Sequence, residues 1–338
     1  MKYGVTADLQ FDEYARLSTL TEKGVTSRLL DIITCFRWIV ETCVTAGCNG
    51  LIVAGDVFEA RTSIDVSVLD LVCREFAWAS TKLDTIIVIP GNHDCHLRTA
   101  GLNSLQVLAG YVTVVEKPTV IAPFALIPWS AHEEDYASAV VKLAKDPAAR
   151  YLVTHVLLEG AGYPGRTVAV DTLKPSRWKR ILLGDVHCPM QFTVDGWDGE
   201  IQYVGSPLQI DFGDAGEWRG FSILDTTTDA LDMTENTMSP RFHKVTDPED
   251  LTDVREVDFV DVRGDDPVKM LKVLKQAEEV AAWVGGSAVE VESTEPRIKA
   301  TTSTKREDLL KRYCEYMGVS NVDAMVTLGA ELLAEAEE

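Results

Sequence analysis

A chain of 338 residues, 46% hydrophobic and 25% charged, can bury a full core, and its length favours two or more domains. Its 53 acidic against 32 basic residues give a formal charge of −21, which opposes nonspecific attraction to a polyanion unless bound cations reverse the field locally. No apolar run nears the ~18 residues of a membrane span. The N-terminus enters a strand without a basic and then apolar leader, and the seven cysteines contain no Cys-x-x-Cys pair. A cytoplasmic protein without membrane contact, disulfide framework or zinc knuckle is expected.

In chain order, residues 2–7 read as a strand ending in Asp8-Leu9-Gln10. Residues 27–46 carry Leu29, Leu30, Ile33, Phe36, Val40 and Cys43 at helical spacing, with Gly47 as the stop. The apolar run 51–54 ends in Gly55-Asp56, a helix is expected over 64–80, and the run 85–90 ends in Gly91-Asn92-His93-Asp94. Short strands punctuated by prolines follow over 111–128, then a helix over 135–145. Two further runs, 151–154 and 180–183, end in His155 and in Gly184-Asp185-Val186-His187. Strands alternating with helices of this length imply a layered α/β domain, here with a mixed sheet.

Beyond a polar turn at 225–229 and one more short strand, a smaller α+β unit is expected. Residues 256–262 alternate like a half-buried strand, Asp266-Pro267 opens a helix carrying Met270, Leu271, Leu274 and Val280, and 287–291 reads as a strand. The tail 305–338 reads as two short helices. The expected boundaries are 1–238, 239–300 and 304–338.

Five apolar runs release oxygen or nitrogen donors at their carboxyl ends, where open α/β sheets gather ligands. Asp8, Gln10, Asp56, Asn92, His155, Asp185 and His187 supply enough donors for two cations sharing one carboxylate. Such pairs, roughly 3.5–4 Å apart, clamp a phosphate and generate a hydroxide near neutral pH. His93 has no ligand role in that count and is free to donate a proton or hold a phosphoryl oxygen. Gly91-Asn92-His93-Asp94 alone would suit a turn, and Asp8 or Asp185 alone would suit a helix cap. Independent turns, however, have no reason to choose ligands repeatedly. His96, His132 and His243 read as surface residues, His96 close enough to the site loop to touch substrate, and Cys95 and Cys188 as packing thiols.

These motifs resemble the calcineurin-like metallophosphoesterases, and within them the SbcD-type nuclease branch of DNA repair, phage counterparts included. The resemblance rests on Asp8-Leu9-Gln10, Gly55-Asp56-Val57-Phe58-Glu59, Gly91-Asn92-His93-Asp94, Thr154-His155 and Gly184-Asp185-Val186-His187. The run Tyr203-Val204-Gly205-Ser206-Pro207-Leu208, with Asp211-Phe212-Gly213-Asp214 and Arg219-Gly220, narrows it to that branch. The resemblance implies a layered α/β metallophosphoesterase sandwich of mixed sheets flanked by helices, with a small α+β capping domain and a C-terminal helical pair.

It further implies metal one at Asp8, Gln10, Asp56 and His187, and metal two at Asp56, Asn92, His155 and Asp185, with Asp56 bridging. His93 would be the catalytic histidine with Asp94 orienting its loop, and Gly205, Ser206 and His96 would meet substrate. Two departures stand out: Gln10 and Asp185 both occupy positions where the family has histidine. Gln10 offers only a neutral amide oxygen, and oxygen donors at both positions favour manganese, with magnesium second, over zinc. The expected function is a metal-dependent DNA exonuclease and endonuclease subunit, homodimeric, working with an SbcC-like SMC-type ATPase. Leu309, Tyr313, Leu328 and Leu332 would offer the apolar anchors for that ATPase. A phosphodiesterase acting on nucleotides or other small molecules, and a catalytically weak scaffold subunit, are the alternatives.

Overall fold

The computed structural model describes residues 1–22, 24–96, 102–264, 266–288, 306–316, 322–323 and 325–327. The first sheet is built from β1 (Lys2–Thr6), β2 (Gly50–Ala54), β3 (Thr85–Ile89) and β4 (Thr113–Val114), which run parallel. It is completed by the hairpin of β11 (Gly220–Asp225) and β12 (Ala230–Glu235), giving the order β12-β11-β1-β2-β3-β4. The second sheet joins β5 (Thr119–Ile121), β6 (Phe124–Ile127), β7 (Tyr151–His155), β8 (Arg180–Gly184), β9 (Met190–Phe192) and β10 (Glu200–Tyr203) in the order β5-β6-β7-β8-β10-β9. β6, β7, β8 and β10 are parallel; the edge strands β5 and β9 are antiparallel.

β2 is buried at every residue, as strands covered on both faces must be, and this is why it reads as a continuous apolar run. Val5, Ile52, Ile87 and Ile89 of the first sheet meet Phe124, Leu126, Val153 and Leu182 of the second in one shared apolar layer. Each such side chain contributes about 1.5–3 kcal/mol of transfer free energy when fully buried. The outer face of the first sheet is covered by α1 (Ser27–Thr45) and α2 (Val66–Ser80), that of the second by α3 (Glu133–Leu143). The layers are therefore helix, sheet, sheet, helix.

α1 buries Leu29, Ile32, Ile33, Phe36, Ile39, Val40 and Cys43 on one face, whereas Leu30, expected on that face, is exposed because Ile32 and Ile39 complete the stripe instead. α2 starts two residues later than expected because Asp65 caps it, accepting a hydrogen bond from Ser67 N at 2.7 Å. α3 starts two residues early, its first turn holding Glu133, Glu134 and Asp135 where the helix dipole favours anions.

A third sheet, β13 (Phe242–Val245), β14 (Phe259–Gly264) and β15 (Trp283–Ala288), carries α4 (Pro267–Ala277) on a small core of Val245, Val260, Val262, Val273 and Ala277. The strand expected at 287–291 begins earlier, at Trp283, because Trp283 packs on Phe212 and Val284 on this core; residues 289–291 lie outside the described residues. Residues 1–263 and 268–286 form one compact unit, so the segment from 239 to 263 and from 268 to 286 packs with the sandwich. The fully buried Arg28 joins them: it donates to Gln209 O at 2.9 Å and lies over the rings of Phe242 and Phe259.

The second unit comprises 264–267 and 287–338. It contains α5 (Arg306–Tyr316), on which Leu309 and Tyr313 are exposed, and helical turns at 322–323 and 325–327. Leu328 and Leu332 lie outside the described residues. No described helix is long and apolar enough to cross a membrane.

His243 is not the surface residue its polar surroundings suggested. It is half-buried, with Nε2 3.0 Å from the buried carboxylate of Asp258, which also takes Arg255 and the amides of Arg241 and Arg255. Burial alone would push the Asp258 pKa up, but these donors hold it well below the usual carboxylate range. A depressed folded pKa contributes stability above the unfolded value of about 3.9, and that contribution fades as pH falls toward the folded value. Urea unfolding should therefore find Asp258→Asn clearly less stable than the parent at pH 7, with the gap narrowing at pH 3. A gap independent of pH would show that Asp258 acts only through packing.

Candidate metal centre

The centre forms at one end of the seam between the two sheets, from residues that leave the strand ends. Asp8 (φ 52°), Gln10 (φ 47°), Asp56 (φ 53°) and Asp185 (φ 94°) all adopt left-handed backbone, an uncommon and costly state for residues other than glycine. These are turns at strand ends and not helix caps. Asp8, Asp56 and His155 are buried, and each brings a ligand atom within 4.8 Å of the others.

His155 fixes the geometry. Its Nδ1 donates to Ala54 O at 2.8 Å, across from the second sheet to the first, so the neutral ring presents a bare Nε2 to the centre. That Nε2 lies 2.9 Å from the Asn92 side-chain amide, 3.4 Å from Asp56 Oδ2 and 3.5 Å from Asp185 Oδ1. Facing a neutral ring the Asn92 amide fits with its nitrogen inward, donating toward all three; facing a protonated ring, or a cation, it offers its oxygen. Burial would lower the His155 pKa, but Asp56, Asp185 and Asp8 push it well above the ordinary imidazole range. Burial pushes Asp8 up to about 6, with His155 and His187 opposing. Buried acceptors converging this closely call for shared positive charge, and carboxylate, amide oxygen and imidazole are suitable ligands for a divalent cation.

Two glycines are required by this packing. A Cβ on Gly55 (φ +94°) would stand 2.2 Å from His155 Nδ1, and one on Gly91 would stand 2.1 Å from Asp56 Oδ1. Asp94 ties the two loops together: its buried carboxylate accepts from Gly91 N (2.9 Å), Val57 N and Phe58 N (3.1 Å each). Asp94 thus positions Asp56 and Asn92 instead of facing the reaction. Tyr136 and Tyr203 brace the chain after β7, donating to His155 O at 3.0 Å and to Val156 O at 2.9 Å.

The other expected residues fall into four groups. Gln10 Nε2 and His187 Nε2 face each other at 2.8 Å, so the two are brought together but engage one another. His93 lies at the edge of the centre, its backbone N–H donating to Asp56 Oδ1 at 2.8 Å and its Nδ1 held by Glu59 O at 2.7 Å. Gly205 and Ser206 are buried: Ser206 N donates to His187 O at 2.9 Å and its hydroxyl to Leu208 O, which makes them a brace for the His187 loop and not a substrate surface. His96 is exposed, its N–H donating to Leu102 O at 2.9 Å.

Sequence reasoning missed Arg61, whose guanidinium bonds His93 Nε2. It is the one Lys or Arg between Arg37 and Arg74, a signal available beside an acidic motif. Also missed was a cavity of about 260 Å³ beside Asp185, lined by Trp129, His132, Tyr136 and Arg166.

A family model described as calcineurin-like phosphoesterase matches residues 1–189, more than half of the chain. The chain belongs to the calcineurin-like phosphoesterase family. Exonuclease subunit 1 of Enterobacteria phage T4 is 26% identical over 194 residues, covering 54% of this chain and 54% of that one. The chain thus spans about half the length of this relative. Among solved structures, a dimetal phosphatase from Danio rerio matches 70% of this chain and 95% of its own at 12% identity and a TM-score of 0.46. The Pseudomonas putida nuclease MPE matches 65% and 83% at 17% identity and a TM-score of 0.29.

The Gly91 contact yields a direct test. Gly91→Ala should leave the circular dichroism of the fold intact yet weaken divalent-metal binding by about 10–100-fold, the scale for residues that orient ligands. Calorimetry returning the parent's affinity would show that Asp56 tolerates displacement.

Proposed function

We propose that this protein is the nuclease subunit of a DNA end-processing complex, hydrolysing phosphodiesters at a centre of two divalent cations. The observation that carries the chemistry is the convergence on His155 Nε2 of Asp56, Asn92 and Asp185, with Asp8 alongside and His93 at the rim. DNA as substrate draws support from the likeness to the phage exonuclease subunit. On this reading Asp8, Gln10, Asp56 and His187 hold one cation and Asp56, Asn92, His155 and Asp185 the other.

Bound cations supply charge for the phosphate oxygens and lower the pKa of water. His93, its Nδ1 fixed by Glu59 O, would exchange the Arg61 guanidinium on Nε2 for the reacting phosphate, where it holds an oxygen or moves a proton to the leaving group. The oxygen-rich donor set favours manganese. A homodimer working in the cytoplasm with an SbcC-like coiled-coil ATPase completes the reading. Leu309 and Tyr313, 40% and 50% exposed on α5, suit a docking helix for that ATPase. The phosphodiesterase for small substrates remains the runner-up, since a charge of −21 suits a small ligand better than a polyanion.

Hydrolysis of single-stranded, duplex and hairpin DNA with and without Mn2+ decides between these readings; cleavage of a small chromogenic diester alone would favour the runner-up. Asp56→Asn should abolish hydrolysis in a folded protein. His93→Ala should retain metal by calorimetry and lose about 10²–10⁴-fold in rate. Loss of bound metal in His93→Ala would place that histidine among the ligands.

The Gln10 and His187 pairing generates a separate expectation. Gln10→His should lower the Mn2+ concentration giving half-maximal activity, because a second imidazole is a stronger donor than a neutral amide. An unchanged metal requirement would remove Gln10 from the ligand set.

A further inference from the structure

A cleft of about 670 Å³ opens beside the loop that carries Asp8 and Gln10, and nothing in the hydrolytic chemistry uses it. Its walls are aromatic. Phe212 and Trp283 lie with centroids 5.4 Å apart and planes at 46°, and Tyr14 shares the lining. All three rings are partly exposed. Tyr14 is held in left-handed backbone (φ 47°) and its hydroxyl donates to Gln10 O at 3.2 Å, which couples the cleft to the metal loop. The remaining lining holds the carboxylates of Asp12, Glu13 and Asp261, with Arg16, Ala15 and Leu17 beside them. Asp12 accepts from Glu13 N (2.8 Å) and Glu13 from Ser67 Oγ (2.9 Å), yet a carboxylate has about four lone-pair sites and both keep capacity for another donor; Asp261 is engaged by Arg263 Nε at 2.8 Å.

From this we infer that the cleft seats one unpaired nucleobase bearing an exocyclic amine, next to the phosphate held at the metal centre. The inference rests on the reading of that centre as a DNA nuclease. Aromatic faces stack bases of any sequence, and the carboxylates, which outnumber Arg16 three to one in the lining, accept from the amines of cytosine, adenine or guanine. A base stacked inside a duplex cannot enter, so the seat selects a frayed or single-stranded end.

The test uses the full chain with Mn2+ and a phosphorothioate-linked single-stranded oligonucleotide carrying 2-aminopurine. Binding should quench the 2-aminopurine, and Trp283→Ala or Phe212→Ala should weaken binding by about 5- to 100-fold, the range of one base–aromatic stack. Because either variant could unfold, the unaltered chain is also photocrosslinked to an oligonucleotide containing 5-iodocytosine. Adducts on Tyr14, Phe212 or Trp283 support the seat. DNA cleavage with adducts only elsewhere overturns the seat and leaves the nuclease reading standing, whereas absence of both DNA binding and DNA cleavage overturns the nuclease reading itself. Self-association lost in Trp283→Ala, without quenching in the parent, would assign the cleft to a second copy of the chain.

Discussion

The hydrogen bond from His155 Nδ1 to Ala54 O is the contact on which the rest of the centre depends. It crosses from the end of β7 to the end of β2, so a single imidazole pins the two sheets at the place where their ligands meet. The bond also selects the tautomer, leaving Nε2 as a lone pair directed at Asp56, Asn92 and Asp185. The glycines of the strand-end motifs follow from it: Gly55 is small because the ring lies against it, and Gly91 is small because Asp56 turns back beneath it. The motif spacing is thus the imprint of one buried ring and one buried carboxylate.

Such a cluster is unfavourable by itself. Four residues hold left-handed backbone, two buried aspartates stand within reach of each other, and burial raises Asp94 to about 7 with Asp56 adding to the effect. The surrounding structure compensates through backbone donors, three amides on Asp94 and the His93 and Asp185 amides on Asp56 and Asp8. Left-handed backbone and like charge concentrated at this edge are what a preformed cation site requires.

Much of this was legible in the chain because period and punctuation agreed. The buried strands read as apolar runs, and each stopped at a residue whose polarity made no sense in a core. The helix starts at Val66 and Glu133 were misplaced by two residues because a cap at Asp65 and an acidic first turn outweighed the apolar spacing. Long-range roles were not legible at all. Nothing local marks Ser206 as a brace for His187, Arg61 as a partner of His93, or Arg28 as the pin between the sandwich and the third sheet. The run from Tyr203 to Gly220, which narrowed the resemblance to one branch of the family, holds structural contacts: Tyr203 supports the chain after His155, Ser206 supports His187, and Gln209 accepts Phe242 N at 2.6 Å.

The pairing of Gln10 with His187 gives the centre an asymmetry. On the assignment proposed above, the half built on His155 keeps its imidazole lone pair free of protein donors once Asn92 turns its oxygen inward, whereas the other half has its imidazole engaged by a neutral amide at 2.8 Å. Ligation there requires that hydrogen bond to be given up, a net cost of about 0.5–1.5 kcal/mol for an ordinary pair. In return it gains an amide oxygen, a weaker donor than the imidazole common at this position in the family. The half containing Asn92, His155 and Asp185 should therefore fill at lower metal concentration. The half containing Gln10 and His187 would then set the metal requirement for turnover, so the departure from the family pattern reads as a change in metal dependence and not as loss of the centre.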